Sequence, residues 1–140
     1  GEANRRVGVS YNRAMSDPAS GKRVLLIDDD ESLRELFGLA MGKTFNVAVA
    51  EDGEKGLAKV PAFKPDLIVL DLMMPRLNGF EVIHKLQEMG LAATPVIVIT
   101  GYSDQANEGL LTREPNVVAF FRKPLKFDEL IAKISGLLAA

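Results

Sequence analysis

The sequence predicts a single α/β domain in which helices cover both faces of a five-stranded parallel sheet. Short apolar segments alternate along the chain with segments whose apolar residues recur at helical spacing. Such alternation implies parallel strands joined by right-handed crossovers. Residues 67–70 are four successive apolar residues, which is typical of a strand buried on both faces of a parallel sheet. A chain of 140 residues is long enough for one domain with its own core.

The predicted strands are apolar runs that end in charged, polar or turn-forming residues. The first run ends in three aspartates, and the second is short and alternating, which favours the edge of the sheet. Pro75 follows the central run closely and prevents strand pairing from continuing. The predicted strands span residues 24–27, 45–50, 67–71, 96–99 and 117–121.

The predicted helices follow side chains that can cap them or turns that introduce them. In the first helix, Leu36 is one of the apolar residues spaced to form a buried face, and Gly42 is expected to end it. The second helix is expected to stop before Pro61, which begins a helix-breaking stretch. Gly109 and many polar residues predict low stability for the fourth helix. The predicted helices span about 33–41, 54–60, 80–89, 104–112 and 127–138.

Composition excludes several classes of function. The chain has no cysteine, which excludes disulfides and thiol chemistry and fits a reducing compartment such as the cytoplasm. A net charge of −2 with mixed signs does not indicate nucleic-acid binding. No apolar run approaches the roughly 20 residues that span a bilayer. Neither glycine-rich phosphate-loop motif occurs, so nucleotide binding by those devices is not expected.

The first residues differ in character from the rest of the chain. Residues 1–21 are polar, contain Gly, Pro and Ser, and show no sustained periodicity. We therefore expect a flexible N-terminal tail over 1–21 and one folded domain over 22–140. Met15 would make a natural translation start, so residues 1–14 are either native or a non-native leader, and their composition does not decide between the two.

Four predicted strands end in side chains that can carry chemistry. Asp28 and Asp29 follow the first strand, Asp71 ends the third, Thr100 follows the fourth and Lys123 follows the fifth. The carboxyl ends of parallel strands meet at one edge of the sheet, and ligands bind outside that edge. A helix cap, a turn or a surface lysine would explain each residue singly, but four such strand ends together predict a functional site.

The residue types predict phosphoryl-transfer chemistry at this edge. Carboxylates that lie close together repel one another unless a cation intervenes. Because the available ligands are oxygens and His84 falls in a predicted helix, a hard ion such as Mg²⁺ suits the site. A lysine can pair with a carboxylate or a phosphoryl oxygen, and a carboxylate can act as the nucleophile.

The sequence resembles the receiver domain of two-component response regulators, including chemotaxis regulators, over residues 22–140. The matching elements are Asp28-Asp29, the run from Asp71 to Pro75 with Gly79, Thr100, and Lys123-Pro124. The resemblance implies a flavodoxin-like fold with strand order 2-1-3-4-5. It also implies a signalling switch in a phosphorelay, which catalyses only its own phosphorylation and dephosphorylation.

The resemblance implies a role for each residue of the pocket. Asp71 would accept a phosphoryl group from a histidine kinase or a histidine phosphotransfer protein. Asp29, Asp71 and the backbone carbonyl of Met73 would bind Mg²⁺ directly, with Mn²⁺ as a substitute, and Asp28 would bind it through water. Lys123 would pair with the phosphoryl group.

The resemblance also implies a switch. Thr100 would move to donate to the phosphoryl group and Phe120, where the family often has Tyr, would shift inward. This movement would remodel the face formed by the fourth helix, the fifth strand and the last helix. The family further implies a cis peptide bond between Lys123 and Pro124.

Two departures from the family pattern carry expectations of their own. Met73 and Tyr102 occupy positions that flank the path of the hydrolytic water in this family, and an apolar chain and a bulky ring there predict slow loss of phosphate. Lys126 stands near the position where the family caps its last helix with Asp, Ser or Asn, and lysine is a poor cap, so we expect this end of the helix to fray.

The resemblance implies partners and leaves some alternatives open. The partners would be the phosphoryl donor, a downstream protein target or an output domain, and a second copy bound through the switch face, with no nucleic acid or membrane bound by this domain. A stand-alone cytoplasmic receiver and a piece of a longer regulator or hybrid kinase are both compatible with the sequence. One rival is a receiver-like interaction module that is never phosphorylated. Another is a haloacid-dehalogenase-like phosphatase, which would leave Asp71 unexplained.

Overall fold

The computed structural model describes residues 19–74, 77–101 and 109–139 of the 140-residue chain. Most of the predicted N-terminal tail, Pro75, Tyr102 and most of the predicted fourth helix lie outside the described residues. Of that helix, residues 109–112 are described, and 109–111 are helical.

Five parallel strands form one sheet, and their order confirms the predicted fold. They are β1 (Arg23–Ile27), β2 (Asn46–Ala50), β3 (Leu67–Asp71), β4 (Val96–Thr100) and β5 (Val117–Arg122). The strand order is β2-β1-β3-β4-β5, with every neighbouring pair parallel. The short alternating strand β2 lies at an edge of the sheet, as its pattern predicts.

The interior strands are apolar because both of their faces are covered. All five residues of β3 are buried, and successive side chains alternate between two core clusters. Ile68 and Leu70 belong to one cluster, and Leu67 and Val69 belong to the other. Burial on both faces explains why this strand shows no alternation of polar and apolar residues.

Besides the helical residues 109–111, four helices of the described part of the chain cover the two faces of the sheet. They are α1 (Glu31–Met41), α2 (Gly53–Phe63), α3 (Gly79–Glu88) and α4 (Phe127–Leu138). Buried residues of α1 and α4 share one core cluster, and those of α2 and α3 share the other. No helix among the described residues is long and apolar enough to cross a membrane.

Side chains at the strand-to-helix turns determine where the helices begin. Asp30 accepts from Leu33 N at the start of α1, which places this helix directly after the acidic residues that follow β1. At α3, Asn78 and Glu81 form a reciprocal capping box. Lys126 precedes α4 without a side-chain cap.

The structure corrects two predictions about the helices. Helix α2 continues through Pro61 and ends at Phe63. Pro61 lies in the last turn, where it removes only one hydrogen bond, and Val60 and Phe63 still pack on the core. Leu36 of α1 is 54% exposed, because the buried face follows the spacing Leu33, Phe37 and Met41.

We expect alanine to destabilise the protein at Gly56 and to stabilise it at Gly38, although both glycines lie inside helices. A Cβ at Gly56 would lie 2.4 Å from Cδ1 and 2.6 Å from Cγ1 of fully buried Ile27. Overpacking of this kind costs about 1–3 kcal/mol, which outweighs the gain in helix propensity of about 1 kcal/mol. A Cβ at Gly38 has no neighbour within 4 Å, so only the gain remains.

Urea unfolding of Gly56→Ala and Gly38→Ala beside the parent checks this expectation. Equal or greater stability of Gly56→Ala would mean that the strand β1 and helix α2 are less tightly packed than the structure shows.

Candidate functional site

The predicted site residues meet at the carboxyl edge of the sheet. Asp28 follows β1, Asp71 ends β3, Thr100 ends β4 and Lys123 follows β5. Asp28, Asp29 and Asp71 each offer one carboxylate oxygen, and these oxygens lie within 4.8 Å of one another. The parallel sheet therefore brings together the acidic residues that the chain separates, as the sequence predicts.

The ammonium group of Lys123 bridges the two buried carboxylates. Its Nζ lies 3.0 Å from Asp28 Oδ2 and 3.4 Å from Asp71 Oδ2. The Lys123 backbone N–H donates to the Thr100 carbonyl at 2.8 Å, which holds the lysine directly beyond β5. One cation thus stabilises two carboxylates that would otherwise repel each other.

Asp28 is fully buried and is held by the backbone around it. Its Oδ1 accepts from Asp30 N at 2.8 Å, and its own N–H donates to the Ala50 carbonyl at 3.0 Å. Its Oδ2 makes an ion pair with Lys123 but no well-aligned hydrogen bond with any described residue. This oxygen therefore keeps acceptor capacity that faces the pocket.

Asp71 is 3% exposed, and its environment changes its acidity. Its Oδ1 accepts from Met73 N at 3.2 Å. Burial, together with the charge of Asp28, raises the pKa of Asp71 to about 6, against the opposing effect of Lys123. The carboxylate is ionised at neutral pH, but its charge is not fully compensated.

Lys123 stays protonated in this environment. Burial by itself lowers the pKa of Lys123, but the close contacts with Asp28 and Asp71 and the charges of these two carboxylates outweigh that effect and raise the pKa above its ordinary value. The pocket at neutral pH therefore holds a fixed ammonium beside the carboxylates.

Comparison with known proteins assigns the chain to one family. Residues 24–135 match the sequence profile described as the response regulator receiver domain. The chain belongs to this family. Over 118 residues it is 34% identical to the DNA-binding response regulator MtrA of Mycolicibacterium paratuberculosis, covering 84% of this chain and 51% of MtrA. Over 117 residues it is 33% identical to the response regulator MprA of Mycolicibacterium vanbaalenii, covering 83% of this chain and 50% of MprA.

Solved structures agree with this assignment. A CheY-like response regulator receiver domain protein from Methanospirillum hungatei JF-1 superposes with a TM-score of 0.77 at 26% identity, covering 85% of this chain and 94% of that one. Chemotaxis protein CheY4 of Vibrio cholerae, at 23% identity, shows the same fold with a TM-score of 0.77, covering 85% of this chain and all of its own. The chain spans about half the length of the curated relatives that it matches.

The structure also places most of the remaining predicted receiver residues. Thr100 is buried at the end of β4, and the peptide bond between Lys123 and Pro124 is cis, as the resemblance implies. Phe120 is partly buried and packs against the core cluster that contains Leu70. The Met73 side chain is 66% exposed beside Asp71. The roles of Thr100, Phe120 and Met73 stay predictions, and Tyr102 lies outside the described residues.

The donor set of the receiver pocket fits a hard divalent cation. The three grouped carboxylates are oxygen ligands, and Asp28 Oδ2 has no hydrogen bond from the described residues. His84, the only histidine, lies on α3 and pairs with Glu114 at 3.3 Å instead. These residues therefore suit Mg²⁺ better than a metal that prefers nitrogen or sulfur ligands.

Sequence reasoning missed one residue that contacts this site. Arg34 of α1 donates from Nη1 to the backbone carbonyl of Asp28 at 2.9 Å. The signal in the sequence is an arginine close behind a helix start, where a positive charge opposes the helix dipole. That signal is weak, because it does not say which group the guanidinium reaches.

We expect Asp71→Asn to be more stable than the metal-free parent above about pH 7. The folded-state pKa of about 6 lies above the ordinary value of 3.8. The native state therefore binds the proton more tightly, and stability contributed by this group is full below about pH 4 and falls as the pH rises through 6. Two pKa units correspond to about 3 kcal/mol, and loss of the Lys123 contact reduces the net gain below that value.

Urea unfolding in a chelator from about pH 4.5 to 8 checks this expectation, with exposed Glu88→Gln on α3 as the control. A difference between Asp71→Asn and the parent that stays constant across this range would contradict it.

Proposed function

We propose that this receiver domain, over residues 22–140, accepts a phosphoryl group on Asp71 from a histidine kinase or a histidine phosphotransfer protein. The observation that carries the proposal is the Asp71 carboxylate, almost fully buried at the carboxyl edge of the sheet with the Lys123 ammonium 3.4 Å from Oδ2. Membership of the response regulator receiver family supports it.

The proposed reaction is a displacement at phosphorus. A carboxylate oxygen of Asp71 forms a bond to phosphorus while the bond between phosphorus and the donor atom breaks, and the electron pair leaves with the donor. The raised pKa of about 6 leaves Asp71 mostly ionised at neutral pH, and therefore nucleophilic. Lys123 would pair with the phosphoryl oxygens on which negative charge lies. Attack of water on phosphorus later releases phosphate and restores Asp71.

A divalent cation would complete the pocket. Asp29, Asp71 and the backbone carbonyl of Met73 would hold Mg²⁺ or Mn²⁺ directly, and Asp28 would hold it through water. The ion supplies positive charge that offsets repulsion between the carboxylates and the phosphoryl oxygens. The grouping of the three carboxylates within 4.8 Å supports this assignment.

The proposed output is a change of surface. A phosphoryl group adds negative charge and strong acceptors beside Thr100, which would donate its hydroxyl while Phe120 moves inward. The face that responds would consist of residues 104–112, β5 and α4. Leu110, Val118 and Leu137 are exposed on these elements, which supports binding of a protein partner or of a second copy.

The partner that reads this face belongs either to the same polypeptide or to another. MtrA is named a DNA-binding response regulator, and this chain matches about half of its length. We therefore propose that the domain controls either an output domain of a longer regulator or a separate protein target.

The decisive experiment is intact-mass spectrometry after incubation with Mg²⁺ and a small acyl phosphate. We expect one added phosphoryl group on the parent, none on Asp71→Asn, and none on the parent in excess chelator. Circular dichroism of both proteins establishes that each is folded. No addition to a folded parent would reject the proposal and favour an interaction module that is never phosphorylated.

We also expect Met73→Asn to shorten the lifetime of the phosphorylated form several-fold. The Met73 side chain is exposed beside Asp71, and an amide there would orient the attacking water that a thioether cannot bind. Met89→Asn is a matched control, because Met89 is 44% exposed just beyond the end of α3. Loss of phosphate followed by mass spectrometry compares the two, and equal rates in Met73→Asn and the parent would refute the assignment.

A further inference from the structure

Arg34, near the start of α1, contacts the backbone of the acidic pocket. It is the fourth residue of α1, where a cation opposes the positive end of the helix dipole. Side chains of a helix point back toward its N-terminus, which directs this guanidinium toward the end of β1. There Nη1 donates to the Asp28 carbonyl at 2.9 Å.

The sheet leaves the Asp28 carbonyl without a strand partner. In a parallel ladder the N–H and C=O of one residue point to the same neighbouring strand. The Asp28 N–H donates to the Ala50 carbonyl of β2, so the Asp28 carbonyl points toward β2 as well. Strand β2 ends at Ala50, and Arg34 supplies the donor that the strand would have supplied. Leaving this carbonyl without a partner would be costly.

The guanidinium lies at the corner between β1 and β2. Lys55 is the main cause that lowers the pKa of Glu51, directly after β2, and the charge of Arg34 contributes to the same shift. Arg34 thus lies near the ends of both strands. Its contact with Asp28 lies on the β2 side of β1, whereas Lys123 follows β5 at the other edge of the sheet.

The peptide held by Arg34 is the one that joins Asp28 to Asp29. Asp29 is exposed and lies near the carboxylates of Asp28 and Asp71. Among the described residues, no hydrogen bond or ion pair holds its side chain. Asp28, in contrast, has three contacts of its own, through its N–H, Oδ1 and Oδ2. The orientation of the Asp29 carboxylate therefore depends on the backbone, and the guanidinium restrains that backbone.

We propose that Arg34 is a positioning residue for the cation pocket, which orients Asp29 by holding the Asp28–Asp29 peptide. This inference rests on the proposed function, since it assumes that Asp29 ligates Mg²⁺. Arg34 itself touches neither the cation nor the phosphoryl group. It acts on the backbone, as groups that orient metal ligands do.

Arg34 could affect Mg²⁺ binding through its charge or through the backbone that it holds, and the two effects have opposite signs. A measurement of Mg²⁺ affinity in Arg34 variants therefore separates them. Removal of a nearby positive charge by Arg34→Gln would tighten Mg²⁺ binding if only charge mattered, and Arg34→Lys would leave it unchanged. If position matters, both variants lose the guanidinium contact and bind Mg²⁺ roughly tenfold more weakly, as is typical when a group that orients a ligand is removed.

The experiment is calorimetric titration of Mg²⁺ into the parent, Arg34→Gln, Arg34→Lys and the exposed control Arg113→Gln. The Asp29 amide ¹⁵N shift of the metal-free proteins gives a second readout, because this amide shares its peptide with the carbonyl that Arg34 holds. We expect weaker binding and a changed Asp29 shift in both Arg34 variants, and neither change in Arg113→Gln. If Arg34→Gln does not fold, Arg34→Lys decides alone.

Two results would overturn the proposal, and they distinguish failure of the positioning role from failure of the proposed cation site. A parent that binds Mg²⁺ together with Arg34 variants that bind it as tightly or more tightly would reject the positioning role and leave the cation site intact. A folded parent that binds no Mg²⁺ would reject the cation site of the proposed function, and the positioning role with it.

Discussion

Two buried carboxylates of like charge, Asp28 and Asp71, share the single ammonium of Lys123, and the rest of the site depends on this arrangement. Buried carboxylates this close are unfavourable without a cation. The lysine comes from the far end of the chain, directly after β5, and its backbone is held by the Thr100 carbonyl. The fold is therefore coupled to the pocket, since only the assembled sheet brings the lysine to the two acids.

The parallel sheet needs few specific residues to achieve this coupling. Each β-α unit needs an apolar strand, a turn at its carboxyl end and a helix that covers one face. The turn residues are free to carry chemistry, and in this chain they also start helices. Asp30 caps α1, and its backbone N–H donates to the Asp28 carboxylate. The single turn after β1 therefore starts a helix and also holds an acid of the pocket in place.

Sequence patterns and the family resemblance together predicted most of the sheet and the meeting of the acids with the lysine. The structure contains the predicted strands in the order that the resemblance implies, and it brings Asp28, Asp71 and Lys123 together. Lys126 precedes α4 without a side-chain cap. Pro61 misled the prediction of α2, because packing of Val60 and Phe63 outweighs the loss of one terminal hydrogen bond. Arg34 was missed because its partner is a backbone carbonyl, which no residue pattern reveals.

The contacts of the two buried acids are not equivalent, and the difference supports the proposal that Asp71 is the phosphoryl acceptor. Asp28 lies closer to the ammonium, at 3.0 Å, and accepts a backbone hydrogen bond of 2.8 Å. The corresponding distances at Asp71 are longer, at 3.4 Å and 3.2 Å. Lys123 and the backbone thus contact Asp28 more closely than Asp71, and burial together with the charge of Asp28 raises the pKa of Asp71 to about 6. An acid that is buried, ionised and incompletely compensated gains most from an added cation and from bond formation to an electrophile, and this chain places that acid at the end of a strand whose five residues are all buried.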